Sequence, residues 1–191
     1  MADRVYEDIK YLLSLEGSVL LKIDPYRVDE EDGAIVVTCA DGRYFSDIFM
    51  HHDRIQQSCR ENPLIHPLSR HGGALLLAPN SPLVREGSTA QEDLFAEIVE
   101  AMDWIKIRKI VLSAHYRCGK ASSCRVDAAQ TIQLLFAAKK SVKTRLASHD
   151  PVVSCYFHID FGPDYKELGK KRQVLSYYAD REGWERQQIQ A

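Results

Sequence analysis

Three short apolar runs constrain this chain more than anything else in it: Ala34-Ile35-Val36-Val37-Thr38, Ile110-Val111-Leu112-Ser113-Ala114 and Val152 to Ile159. A continuous apolar run of this length reads as a strand covered on both faces. The stretches between the runs carry helical spacing. Strands that alternate with helices imply βαβ units and a mainly parallel sheet. The expected fold class is therefore α/β, with a central four-stranded sheet flanked by helices.

The elements follow in order. Val5, Ile9, Leu12, Leu13 and Leu15 give residues 3–16 a helical face, and Gly17 is a stop signal. Residues 1–30 form the expected N-terminal arm of a single domain spanning 1–191, with Val19 to Ile23 extended before the break at Asp24-Pro25. Strand one is expected at 34–39, a helix at 44–59, and a loop bracketed by Pro63 and Pro67. Gly73 to Ala78 reads as strand two, and Asn80 to Gly87 as a loop. Thr89 and Glu92 have the spacing of a capping box for a helix from Gln91 to Ile105. Strand three is expected at 107–114, a long helix at 125–147, strand four from Val152 to Ile159, and a last helix from Tyr165 to Arg181.

A chain of 191 residues is the length of one domain and buries a full core without metal or disulfide staples. A bound metal ion would therefore serve function rather than folding. The formal charge of −2 gives no general attraction to nucleic acid. No apolar run reaches membrane-spanning length. Five cysteines, an odd number, behind a polar acidic N-terminus argue against a disulfide framework, and the cytoplasm is the expected compartment. No phosphate-binding Gly-rich loop follows strand one, and no Gly-x-Ser-x-Gly elbow is present.

Two motifs follow the first and third strands: Cys39-Ala40-Asp41-Gly42-Arg43 and His115-Tyr116-Arg117-Cys118-Gly119. Open α/β sheets place their sites at the carboxyl ends of strands. Adjacent parallel strands would bring Cys39, His115 and Cys118 to one edge, and two thiolates with one imidazole suit zinc. Asp41 then decides the fourth position. On the metal, it closes the site; held away by the planar fork of Arg43, it leaves the position to water.

Cys-x-Asp-x-Arg followed by His-x-x-Cys-Gly resembles the signature of the β-class carbonic anhydrases. The likeness runs over about residues 34–120 and takes in Arg70-His71-Gly72-Gly73 and the helix from Gln91 to Ile105. It implies a Zn2+ cofactor on Cys39, His115 and Cys118, with Asp41 as a ligand only in a closed form. It also implies Asp41 and Arg43 as a catalytic dyad that orients zinc-bound hydroxide, reversible hydration of CO2 to bicarbonate and a proton, and a homodimer or higher homo-oligomer embraced by the N-terminal helix. Three departures stand out: Gly42 and Tyr44-Phe45 replace the expected Ser and Val-Pro, Arg70-His71-Gly72-Gly73 replaces Arg-Asn-Ala-Gly-Asn, and the spacer from Cys39 to His115 is long.

His51, His52, His66 and His71 are candidate proton shuttles by their ordinary pKa. Two other functions remain open on sequence alone. One is hydrolysis of another small molecule, carbonyl sulfide or carbon disulfide; the other is a non-catalytic zinc-binding interaction protein with Asp41 permanently on the metal. Cys124 and Cys59 raise a thiol switch as a further possibility.

Overall fold

The computed structural model describes residues 2–22, 33–57, 64–160 and 174–190. Helices α1 (Ala2–Ser14), α2 (Phe45–Gln57), α3 (Ala90–Ile105), α4 (Gly119–Ser123), α5 (Ala128–Arg145) and α6 (Arg181–Gln190) accompany strands β1 (Leu20–Lys22), β2 (Ala34–Cys39), β3 (Ile65–Arg70), β4 (Lys109–Tyr116), β5 (Val152–Asp160) and β6 (Val174–Ala179). The strands form one sheet in the order β1-β6-β5-β4-β2-β3. The run β3-β2-β4-β5 is parallel, while β6 and β1 join antiparallel. The expected class holds, with six strands rather than four.

The second parallel strand is not the expected one. Gly73–Leu77 is a buried 3-10 turn, entered through Gly72 at φ 94° and Gly73 at φ 50°. Two successive left-handed residues reverse the chain and cannot continue a strand. The strand is Ile65–Arg70, which includes Pro67, expected to lie at a loop boundary. Its place at the sheet edge, paired only with β2, explains why proline is tolerated there. Pro63 lies outside the described residues.

The C-terminal helix is corrected in the same way. Val174 to Ala179 is a strand, and the helix begins at Arg181. Tyr177 and Tyr178 pack on opposite faces of the sheet, the period-two placement of β-favouring aromatics. The remainder of the expected helix, residues 165–173, lies outside the described residues.

The capping box also moves. Thr89 Oγ1 donates to Asp93, and Glu92 is taken by Arg145 at 2.8 Å. The box forms instead at α5, where Asp127 accepts from Gln130 N and Gln130 Oε1 accepts from Asp127 N.

Alternation along β2 divides the core. Ile35 and Val37 join the main cluster with α1, α3 and α5, whereas Ala34 and Val36 join Val111 and Tyr156 on the other face. On that second face His52 of α2 packs edge-on to Tyr156, 5.1 Å between ring centres. Helix α1 buries Ile9 and Leu12 in the chain's own core, and Leu15 just after it joins them. Its Asp8 accepts a hydrogen bond from Tyr116 at the end of β4. Among the described residues no helix is long and apolar enough to cross a membrane.

Candidate metal centre

Parallel pairing of β2 with β4 aligns Val37 with Leu112, so their carboxyl ends leave the sheet side by side. Cys39 closes β2, His115 lies one residue inside the end of β4, and Cys118 follows on the turn into α4. The two cysteine sulfurs and the nearest imidazole nitrogen lie within 4.8 Å of one another. All three residues are buried: Cys39 and Cys118 at 4% exposure and His115 at 1%. The structure thus unites Cys39 with His115 and with Cys118, which lies 79 positions away in sequence.

The donor set fits a metal ion on two counts. The sulfurs are 3.9 Å apart, against about 3.8 Å for two thiolates each about 2.3 Å from one tetrahedral zinc. Moreover, neither His115 ring nitrogen has an oriented hydrogen-bond partner among the described residues. Buried polar groups are almost always satisfied, and a ligated ion would satisfy this one. The donor hydrogen bond from Cys118 holds the Cys39 thiol well below its ordinary pKa, and the same bond, with burial, raises Cys118. A metal would displace that shared proton, because thiolates are the ligating form.

Cys39 is set by backbone from a second element. Gly72 N–H donates to its sulfur at 3.4 Å. A Cβ on Gly73 would fall 2.4 Å from the Cys39 nitrogen, so only glycine permits this approach.

Asp41 stands beside the trio, not in it. Arg43 grips its carboxylate with both ends of the fork, Nε to Oδ1 at 2.9 Å and Nη2 to Oδ2 at 2.6 Å. The Arg43 backbone N–H adds a third donor at 3.2 Å. These hydrogen bonds hold the Asp41 pKa down to about 2. Arg43 Nη2 also reaches the carbonyl of Arg117, next to Cys118, at 3.4 Å.

A cleft of about 980 Å³ opens on Cys39 and Asp41, with Arg70, His71, Arg85 and Lys120 on its walls. Of the four candidate shuttles, His71 lines this cleft. His66 pairs with Ile35 four residues back along β3, and His51 and His52 lie on α2 near Tyr156. Cys124 is half-buried after α4, while Cys59 lies outside the described residues.

Sequence reasoning singled out Tyr44 only as a departure from the expected motif, and it missed His158 and Asp160. Tyr44 packs its ring 4.7 Å from that of His115, and His158 and Asp160 occupy the carboxyl end of β5. Register sets His158 opposite His115. The signal was available: polar residues at the end of a buried parallel strand point to the same edge as the ligands. Burial depresses the His158 pKa to about 4, which keeps its ring neutral.

No protein-family model matches the chain, and neither does any curated protein. Several solved structures that it is similar to are β-carbonic anhydrases. The wild-type enzyme CafD of Aspergillus fumigatus is 12% identical, with 84% of this chain and 99% of that one covered at a TM-score of 0.47. The β-carbonic anhydrase CcaA is 13% identical, with 92% and 84% covered at 0.42, and a tetrameric enzyme of Sordaria macrospora is 11% identical, with 75% and 79% covered at 0.38.

Proposed function

We propose that this chain is a zinc enzyme that interconverts CO2 and bicarbonate. One observation carries the reading: a buried Cys39-His115-Cys118 trio with metal-like sulfur spacing stands beside an Asp41 carboxylate that Arg43 holds out of it. Three protein ligands and one vacant position are the pattern of a catalytic rather than a structural zinc site. Zinc bound there would supply Lewis acidity that makes water a nucleophile near neutral pH.

The chain's own residues set the geometry of attack. Asp41, ionised through its pKa of about 2, accepts a hydrogen bond from the attacking oxygen and aims its lone pair. Arg43 fixes that carboxylate with two parallel hydrogen bonds. Tyr44, 3% exposed, shields the His115 ring from water. His71 on the cleft wall takes the released proton towards solvent.

The test is stopped-flow CO2 hydration on zinc-verified protein at about pH 7 and about pH 9, chosen to bracket ionisation of zinc-held water. Turnover at both marks an open site, and turnover only at the higher pH marks closure by Asp41. Absence of turnover at both, with zinc bound, refutes the CO2 reading, and carbonyl sulfide or carbon disulfide becomes the next substrate to assay. Cys118→Ala is expected to lose most of the zinc by elemental analysis. Arg43→Ala is expected to keep zinc but lose about a hundredfold in turnover through a misplaced Asp41.

A further inference from the structure

We infer that Tyr44 is the positioning residue that keeps Arg43 on Asp41 and so keeps the fourth metal position open. The inference rests on the zinc-site reading above and assigns the control of that site to residues outside the Cys-x-Asp-x-Arg and His-x-x-Cys motifs.

Four contacts converge on Tyr44. Its ring is buried at 3% exposure and tilted against His115 at 4.7 Å. The Arg43 guanidinium lies over the same ring, 5.1 Å from its centre. His158 meets the ring edge-on at 6.1 Å. Asp160, itself only 5% exposed, lies within electrostatic reach of the hydroxyl. One side chain therefore touches a ligand candidate, lies under the arginine of the dyad, and meets a residue of β5.

The support matters because the Arg43 end of the pair is open to solvent, although the Asp41 side chain is only 15% exposed. The Arg43 side chain is 61% exposed, and exposed ion pairs are weak against solvent competition. A cation held over a buried aromatic face gains a further attraction and loses rotamer freedom. Asp160 adds a second negative charge facing Arg43 from β5, where it reinforces the same placement. Without the Tyr44 ring, the guanidinium loses its shelf and Asp41 is freed to turn into the vacant position two residues from Cys39. Valine, which the sequence resemblance leads one to expect at this place, offers neither a face for the cation nor a hydroxyl for Asp160.

The prediction is read on the cobalt-loaded protein, with azide as the probe of the vacant position. Apparent affinity falls in proportion to the fraction of molecules whose site is open. Tyr44→Leu is expected to weaken azide binding by about twofold to fivefold, the size of a lost cation–aromatic contact at an exposed cation. Asp41→Ala added to Tyr44→Leu is expected to restore it, because the competing ligand is then gone. A purely structural loss at His115 would not be rescued in this way. Tyr44→Phe keeps the ring and drops only the hydroxyl near Asp160, so it should give a smaller loss that Asp41→Ala also reverses; it carries the test if Tyr44→Leu does not load cobalt. Unchanged azide affinity in both variants, or a loss that Asp41→Ala leaves in place, overturns the inference. Failure of the wild-type protein to take cobalt or bind azide would refute the open metal site itself, and absence of CO2 turnover would refute the reaction, each separately from the role of Tyr44.

Discussion

A single glycine decides whether Cys39 can sit where it does. Gly73 adopts φ 50°, and an added Cβ would meet Cys39 N and Thr38 C at 2.4 Å, both backbone atoms that cannot step aside. Gly73→Ala should therefore cost at least about 2 kcal/mol and reduce zinc occupancy, since the disturbed backbone belongs to a ligand. Gly42 is the control. It lies inside the same motif, yet a Cβ there meets nothing within 4 Å, so Gly42→Ala should leave both urea stability and zinc content unchanged. Equal stability of the two alanine variants would show that the close approach of the 72–73 turn does not constrain Cys39. Arg43 has the opposite profile. The Arg43 side chain is 61% exposed against 15% for Asp41, so Arg43→Ala should change unfolding free energy by only about 1 kcal/mol while turnover collapses.

Among the elements, α5 carries the best-formed cap. Asp127 and Gln130 exchange hydrogen bonds at 2.8 and 3.0 Å, so Asp127→Ala should destabilise the protein by about 1 kcal/mol in urea unfolding. Thr89→Ala should do much less, because the Thr89 side chain caps no backbone N–H of α3. The contrast shows what the sequence could and could not reveal. Thr89-x-x-Glu92 and Asp127-x-x-Gln130 have the same spacing, and only the tertiary structure, which delivers Arg145 to Glu92, separates them. The strands with both faces covered, β2, β4 and β5, were legible because continuous apolar runs have few alternatives. Edge strand β3 was not, since Ile65-His66-Pro67-Leu68-Ser69-Arg70 is half-exposed and contains a proline that only its edge position tolerates. Gly73 to Leu77 misled for the converse reason: its five residues are all buried, and apolarity reports burial rather than backbone shape. The three metal-ligand candidates were legible because each motif directly follows a readable strand. Tyr44 was legible only as a departure beside the first motif, and His158 and Asp160 were not legible, because register between β4 and β5 rather than spacing along the chain brings that strand end beside His115.

The molecule as a whole should be more fragile towards alkali than its near-neutral charge suggests. Several buried groups must keep their protons for the fold to persist. Burial lifts Cys155 from 9.0 to about 12, and burial with the nearby Asp127 lifts Tyr11 from 10.0 to about 12. Tyr178 is raised by burial as well. Each is an acid that is harder to ionise in the folded chain. Below pH 9 the Cys155 thiol is protonated in both states and its contribution is fully present. Between about 9 and about 12 the unfolded chain has released the proton and the folded chain still holds it, so stability falls as pH rises. Cys155 is wholly buried between β5 and α5, with its thiol directed at the Leu135 carbonyl, and is distant in sequence from every ligand. Its slope can therefore be isolated by comparing wild type with Cys155→Ala, both zinc-loaded. Urea unfolding between about pH 9.5 and about pH 10.5 should show the wild type losing about 1.4 kcal/mol per pH unit more than the variant. Parallel pH dependences would mean that the Cys155 thiol ionises as readily in the folded chain as in the unfolded one. In that case the alkaline weakness would rest on the tyrosines alone.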